Sequence, residues 1–212
     1  MTEPDVGQYY DEYWRRANPP PCADPLAAVR RRLLEGELES LAPAARVLDV
    51  GCGAGDLVAT LAAGRFEAVG MDVSAEAVAR ASRRHPGCRF VRHSIEDVPW
   101  PLQAESFDAV VSFDAIEHLL RPGRLLEGAS SVLRPRGVLA LTTPYHGVVK
   151  NIALAAFAFD RHFDVEGDHI RFFSDRALRR LLAEAGFEVE RVRHFGRIWG
   201  LWAGTFVRAR RR

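Results

Sequence analysis

The stretch VLDVGCGAGDL, residues 47–57, constrains this chain more than any other. A short apolar run with β-branched residues meets three glycines at alternate positions, Gly51, Gly53 and Gly55, and a helix-forming segment follows. Strand, bare turn and helix in that order open a βαβ unit, and glycines there let another group come close to the backbone. The spacing is G-x-G-x-G, and no lysine follows to hold a phosphate. Asp49 stands just before the glycines, where a carboxylate repels a pyrophosphate and attracts an ammonium group. Asp72 ends the next apolar run, at the distance where a carboxylate accepts hydrogen bonds from ribose hydroxyls.

Strand and helix signals alternate along the chain. Strands are expected at 46–50, 67–73, 88–94, 107–113, 137–143, 187–195 and 200–209. Helical spacing covers 26–41, 56–63, 74–84, the segments from 114 to 133, and 174–186, with Ser74 and Ser174 as N-caps and Gly186 as a stop. This predicts an α/β fold: a Rossmann-like, doubly wound, mostly parallel sheet of seven strands with helices on both faces. The last two strands are too close in sequence for a parallel crossover, so they should form a C-terminal antiparallel hairpin. The rhythm breaks over 144–173, which is too long for a connection and reads as a substrate-binding insertion. The expectation is one domain over 1–212, with 1–25 as an N-terminal lid segment.

A ligand that suits Asp49, the glycines and Asp72 together has an adenosine-like ribose and a cationic amino-acid end, without phosphates. S-adenosylmethionine fits. A dinucleotide in a generic Rossmann turn is the competing reading. VLDVGCGAG with the acid of GMDVS resembles motif I and its partner in class I S-adenosylmethionine-dependent methyltransferases, and the resemblance spans about 46–143. It implies cofactor contacts at Asp49, Gly51, Cys52, Gly53, Gly55, Asp72 and Val73. The segment SIEDVPWPLQAESFDAVVSFDAIEHL is similar to the following motifs of that class, which implies adenine contacts near Ser94, Ile95 and Glu96, and a contact at Phe113. Many members have aspartate where Ser94 stands.

Asp114, Glu117 and His118 fall at i, i+3 and i+4, so on a helix they would share one face at the sheet's carboxyl edge. Two acids and an imidazole can bind a divalent cation such as magnesium, which would lower an acceptor hydroxyl's pKa. The segment is similar to the E-x-x-E-H of ubiquinone-biosynthesis O-methyltransferases, which use a divalent cation. It resembles more faintly the small-RNA 2′-O-methyltransferases, but Pro122 stands where their further histidine would be. The alternative is His118 as a general base without metal.

The insertion supplies two more base candidates, His146 and His169, along with His162 and Tyr145. Its apolar run, 152–159, either walls an aromatic or apolar substrate or packs the insertion on the domain. Near the N-terminus, YYDEYW puts Tyr10 and Trp14 on one helical face, either folded over the cofactor or docked as an amphipathic helix.

The near-neutral balance, a formal charge of +1 over 212 residues, gives no global field for nucleic acid, and the basic end RARRR does not change that. Three unpatterned cysteines suit a reducing compartment. The polar N-terminus has no visible signal peptide and no apolar run is long enough to span a bilayer, so a cytoplasmic protein without stable membrane association is expected. The expected activity is O-methylation of a small-molecule hydroxyl or phenol in biosynthesis. N- or C-methylation, RNA 2′-O-methylation, and a module that holds the cofactor without turnover are the alternatives.

Overall fold

In the computed structural model, residues 6–16, 26–162, 169–196 and 200–212 are described. The proline-rich link after Arg16 and residues 163–168 of the expected insertion lie outside the described residues. Helices α1 (Val6–Arg16) and α2 (Ala27–Leu38) precede β1 (Arg46–Val50), α3 (Asp56–Ala63), β2 (Glu67–Asp72), α4 (Ala75–Arg84), β3 (Arg89–Arg92) and β4 (Phe107–Phe113). A single 3₁₀ turn, Ile116–His118, leads to α5 (Pro122–Val132) and β5 (Leu133–Pro144). Then come α6 (Val148–Phe157), α7 (Phe159–His162), α8 (Asp175–Glu184), β6 (Phe187–Phe195) and β7 (Gly204–Arg211).

The seven strands form one sheet in the order β3-β2-β1-β4-β5-β7-β6. All the pairings from β3 to β5 are parallel, and β7 is antiparallel to both β5 and β6. The expected class is therefore the one observed, including the antiparallel pairing of the last two strands. Strand order reverses between β1 and β4, so a crevice for ligand opens beyond their carboxyl ends.

Central strands are apolar on both faces because both are covered. Along β1, Val47 faces one core cluster while Leu48 and Val50 face the other. Along β5, Val138 and Ala140 point opposite to Leu139 and Leu141. One cluster takes Leu125, Leu126, Leu178 and Leu182 from α5 and α8; the other takes Leu34, Leu38 and Leu61 from α2 and α3. Ser74 and Ser174 cap α4 and α8 by accepting from the N–H three residues on, as their sequences predict. α2 is tied to the sheet by the buried Glu37 carboxylate, which meets Arg191 at 2.6 Å and Arg208 at 3.3 Å.

Two elements differ from the sequence expectation. No α-helix covers 114–118, only the 3₁₀ turn, because Asp114 has a left-handed backbone (φ 46°) that an α-helix cannot continue. And β5 begins at Leu133, directly after α5, rather than at 137. No helix among the described residues is long and apolar enough to cross a membrane.

Gly128 lets α5 lie against Trp100, whose Nε1 donates to the Ile95 carbonyl at 3.0 Å and so fixes the ring. A Cβ at Gly128 would come within 2.2 Å of that ring. Gly128→Ala should therefore cost about 1–3 kcal/mol by overpacking, measured by urea denaturation.

Candidate active site

The glycine loop follows β1. Gly51, Gly53 and Gly55 all have left-handed backbones, with φ of 78°, 50° and 80°, which only glycine adopts without strain. The amides of Gly51 and Cys52 donate to the Met71 carbonyl of β2, at 2.8 and 3.1 Å. The bareness of the loop also serves the protein's own packing. A Cβ at Gly55 would meet Phe90 at 2.6 Å, and one at Gly53 would meet Trp14 at 2.9 Å.

Asp72 ends β2 and holds two turns at once. One carboxylate oxygen accepts from the Gly53 amide and the other from the Ser74 amide, both at 2.9 Å. Burial raises its pKa, and the bonds from Ser74, Gly53 and Val73 work against that rise. Asp49, also buried, is pushed up to about 7 by desolvation and then by the charge of Asp72. The Cys52 thiol is pushed far up by burial and by these two acids, so it is no nucleophile.

The expected adenine-side residues turn their side chains to the protein. Ser94 accepts from the Glu96 amide at 3.2 Å, and Ile95 packs against the core. The Glu96 carboxylate accepts from the amides of Leu120 and Arg121, at 2.8 and 3.0 Å, and pairs with the Arg121 guanidinium. It thereby fixes the segment leading into α5. Phe113 packs edge-on against Phe206 in the core. Val73 offers its carbonyl to Arg92.

α1 lies against α4. Trp14 is buried over Gly53, while Tyr10, half-buried, stacks edge-on with Tyr9 and Tyr13. Asp11, which the sequence reading passed over, accepts from the Ser74 hydroxyl at 2.6 Å and the Glu76 amide at 3.0 Å.

At the end of β4 the expected trio is regrouped. Asp114 is engaged elsewhere: its carboxylate pairs with Arg30 of α2 and accepts from the Thr142 hydroxyl at 2.7 Å. The ligand atoms that gather within 4.8 Å of one another belong to Glu117, His118 and His169. This corrects the grouping of Asp114 with Glu117 and His118, whose premise was a helix that does not form. His169 arrives because the amides of Ile170 and Arg171 both donate to the Glu117 carbonyl, at 3.1 and 3.0 Å. Its ring sits 4.8 Å from that of His118.

Glu117 is fully buried, and neither carboxylate oxygen has a hydrogen-bond partner of normal geometry. Desolvation, then the charge of Asp114, raises its pKa to about 8, with Thr143 and Arg30 nearby working the other way. Among the described residues, one carboxylate and two imidazoles therefore fit a divalent cation, and the orphaned oxygens are what a cation would satisfy.

His146 is buried and pushed down to about 4 by desolvation, so it is neutral at pH 7. Its Nδ1 lies 3.1 Å from the Asn151 side-chain oxygen, and its ring contacts those of His162 and Phe172. Tyr145 lies against His194. In the run 152–159, Ile152, Phe157 and Phe159 face outward, and Lys150 is the one buried residue of α6. A surface groove of about 560 Å³ between α5 and α8 contains none of these residues.

A seven-stranded Rossmann-like sheet, with a glycine loop and two acids at its switch point, is a nucleoside-binding architecture. The chain belongs to the methyltransferase domain family, whose pattern matches residues 13–192. It is 33% identical over 147 residues to a protein of Mycolicibacterium smegmatis named "Probable S-adenosylmethionine-dependent methyltransferase", covering 68% of this chain and 52% of that one. It is 33% identical over 137 residues to the ubiquinone biosynthesis O-methyltransferase of Xanthomonas axonopodis pv. citri, covering 63% and 56%. The chain thus spans about half the length of the curated relatives it matches. Among solved structures it is similar to magnesium protoporphyrin IX methyltransferase from Synechocystis PCC 6803 with bound SAH, with a TM-score of 0.65 and 19% identity over 88% of this chain and 82% of that one. The cyclase SpnF gives a TM-score of 0.73 with 19% identity, covering 97% and 94%. These structural likenesses show a shared fold.

Glu117 supplies a test of the buried charge. Its proton is held to about pH 8 in the folded chain against an ordinary value of 4.5. The unfolded chain releases that proton first as pH rises, so stability is lost across this window. Glu117→Gln cannot ionise and escapes that loss. The variant's stability relative to the unchanged protein should rise from about pH 5 to about pH 9, followed by denaturant titration at each pH.

Proposed function

We propose that this protein is an S-adenosylmethionine-dependent methyltransferase that methylates an oxygen of a small molecule. The observation that carries the cofactor reading is the pairing of Asp49 and Asp72 around a glycine loop. Asp72 accepts from the backbone N–H groups of Gly53 and Ser74 and is also stabilised by that of Val73, yet a carboxylate has about four acceptor positions, which leaves room for a ribose hydroxyl. Asp49 favours a cationic amino-acid end. Gly51, Gly53 and Gly55 keep the intervening backbone open, and the main chain of Ser94–Glu96 is the adenine side. In this reading the chain is a single domain, with α1 as a lid and 144–173 contributing to the acceptor side.

Methyl transfer is an in-line displacement at the sulfonium carbon. The acceptor oxygen forms the new C–O bond, the C–S bond breaks, and its electron pair stays on sulfur. The acceptor's proton goes to a protein base. The chain's work is alignment and exclusion of water. The base is His118, which lies in one cluster with Glu117 and His169; Glu117 is fully buried, and burial raises its pKa to about 8, so it holds its proton at neutral pH. His169 completes the cluster, and His146, titrating near 4, is the poorest of the candidates as a base and serves better as a neutral wall.

A second reading is favoured by the orphaned oxygens of Glu117. A divalent cation would be held by Glu117, His118 and His169, and would act as a Lewis acid that lowers the pKa of an acceptor hydroxyl. A carboxylate with two imidazoles suits a transition metal such as zinc or iron better than magnesium. Similarity to the ubiquinone biosynthesis enzyme supports oxygen over nitrogen or carbon as the acceptor atom. The near-neutral charge weighs against RNA.

Calorimetry with S-adenosylmethionine tests the cofactor reading. Binding should weaken roughly 10- to 100-fold in Asp72→Ala, the loss of charge-assisted hydrogen bonds worth about 1.5–3 kcal/mol. Absence of binding, or binding unaffected by the substitution, contradicts it. With a labelled methyl donor and a small-molecule extract, mass spectrometry should find an alkali-stable methyl ether. Activity that survives a strong chelator would exclude the cation.

A further inference from the structure

We propose that Asp11 is a positioning residue that latches α1 over the cofactor cleft and so sets the rate of cofactor exchange. This rests on the cofactor reading above and adds to it a control on entry and release.

The contacts form a closed circuit through α1. The Ser74 hydroxyl donates to Asp11 at 2.6 Å, and the Ser74 amide donates to Asp72 at 2.9 Å. Asp72 accepts from the Gly53 amide at 2.9 Å. Gly53 is covered by Trp14, one turn along α1 from Asp11. The helix is thus pinned at two points, with a polar bond at the end of β2 and an aromatic ring at the end of β1. Ribose hydroxyls that reach Asp72 sit inside this circuit.

Asp11 is well suited to hold the helix. It also accepts from the Glu76 amide, at 3.0 Å, in the first turn of α4. A carboxylate there satisfies an amide with no partner inside the helix and interacts with the positive end of the helix dipole. Burial pushes the Asp11 pKa up, but the bonds from Ser74 and Glu76, with Arg92 and Arg15 nearby, hold it below the ordinary value. An 11-residue helix is marginal by itself in water. Without the latch, α1 loses both its dock and its helical order, and the Trp14 cover lifts from Gly53.

The test uses S-adenosylhomocysteine as the probe, with Asp11→Ala and Asp11→Asn in the full chain. Tryptophan fluorescence in a stopped-flow displacement reads its release. Amide hydrogen exchange reads residues 6–16. In Asp11→Ala, release should speed roughly tenfold and exchange in α1 should rise by a similar factor. Asp11→Asn, which keeps an acceptor oxygen for Ser74 and Glu76, should fall between. In turnover, KM for the methyl donor should rise while kcat holds, a split that a general loss of fold would not give. Unchanged release in both variants overturns the proposal, as does faster exchange in α1 without faster release. If the unchanged protein does not bind the probe, the cofactor reading fails. Hydrogen exchange then still shows whether Asp11 holds α1, and unchanged exchange in Asp11→Ala overturns the latch as well.

Discussion

One carboxylate holds the ligand end of this sheet together. Asp72 accepts from the Gly53 amide in one turn and the Ser74 amide in the next. These are charge-assisted bonds to a buried acid, stronger than neutral ones. They fix the distance between the carboxyl ends of β1 and β2, and with it the shape of the crevice. The left-handed glycines follow from that distance, because the loop must double back to bring Gly53 to Asp72. The N-cap of α4 follows as well, since Ser74 is held by Asp72 through its amide and caps through its hydroxyl. α1 then docks on the result, through Asp11 to Ser74 and Trp14 to Gly53. Desolvation is the common cause of the raised pKa values at Asp49 and Asp72: two acids close together in a covered site favour a cationic ligand.

The other half of the crevice is built on strain. Asp114 has a positive φ, which an aspartate tolerates better than most residues. Thr142 and Arg30 hold it there, through the hydroxyl bond and the ion pair. That kink ends β4 and drops Glu117 into a fully buried position under the segment that carries His169. A buried acid without a hydrogen bond of normal geometry destabilises a fold, and such groups cluster at functional sites. On the reading proposed above, the acceptor side is the cluster of Glu117, His118 and His169, while Ile152 and Phe157 of α6 face outward.

Most of the fold was legible because its signals are local. Apolar runs bounded by glycines marked the central strands, and serines three residues ahead of an amide marked the caps of α4 and α8. The short turn before the last strand marked an antiparallel pair. What the sequence did not reveal depends on contacts between distant segments. That β7 inserts between β5 and β6 is a choice among strands of similar pattern. The 114–118 spacing looked helical, but backbone geometry at Asp114 overrode it. His169 reached His118 through backbone amides of Ile170 and Arg171, which leave no trace in side-chain identity. Asp11 stood inside an aromatic segment already read as a lid, yet its role depends on the exposed amides of α4. The bareness of Gly53 and Gly55 was read as room for a ligand, and it is also room for Trp14 and Phe90.

On the proposed reading, Asp49, whose pKa burial raises to about 7, selects a cationic end of the ligand. An ammonium group favours the ionised acid, so below about pH 7 binding must expel a proton. Calorimetry of S-adenosylmethionine at about pH 6, in two buffers with different heats of ionisation, counts that proton. The expected result is an enthalpy that depends on the buffer in the sense of proton release, with affinity rising from about pH 6 to about pH 7 and falling again above about pH 8 as the ligand's own α-amino group loses its charge. A buffer-independent enthalpy with affinity flat over the same range would contradict it.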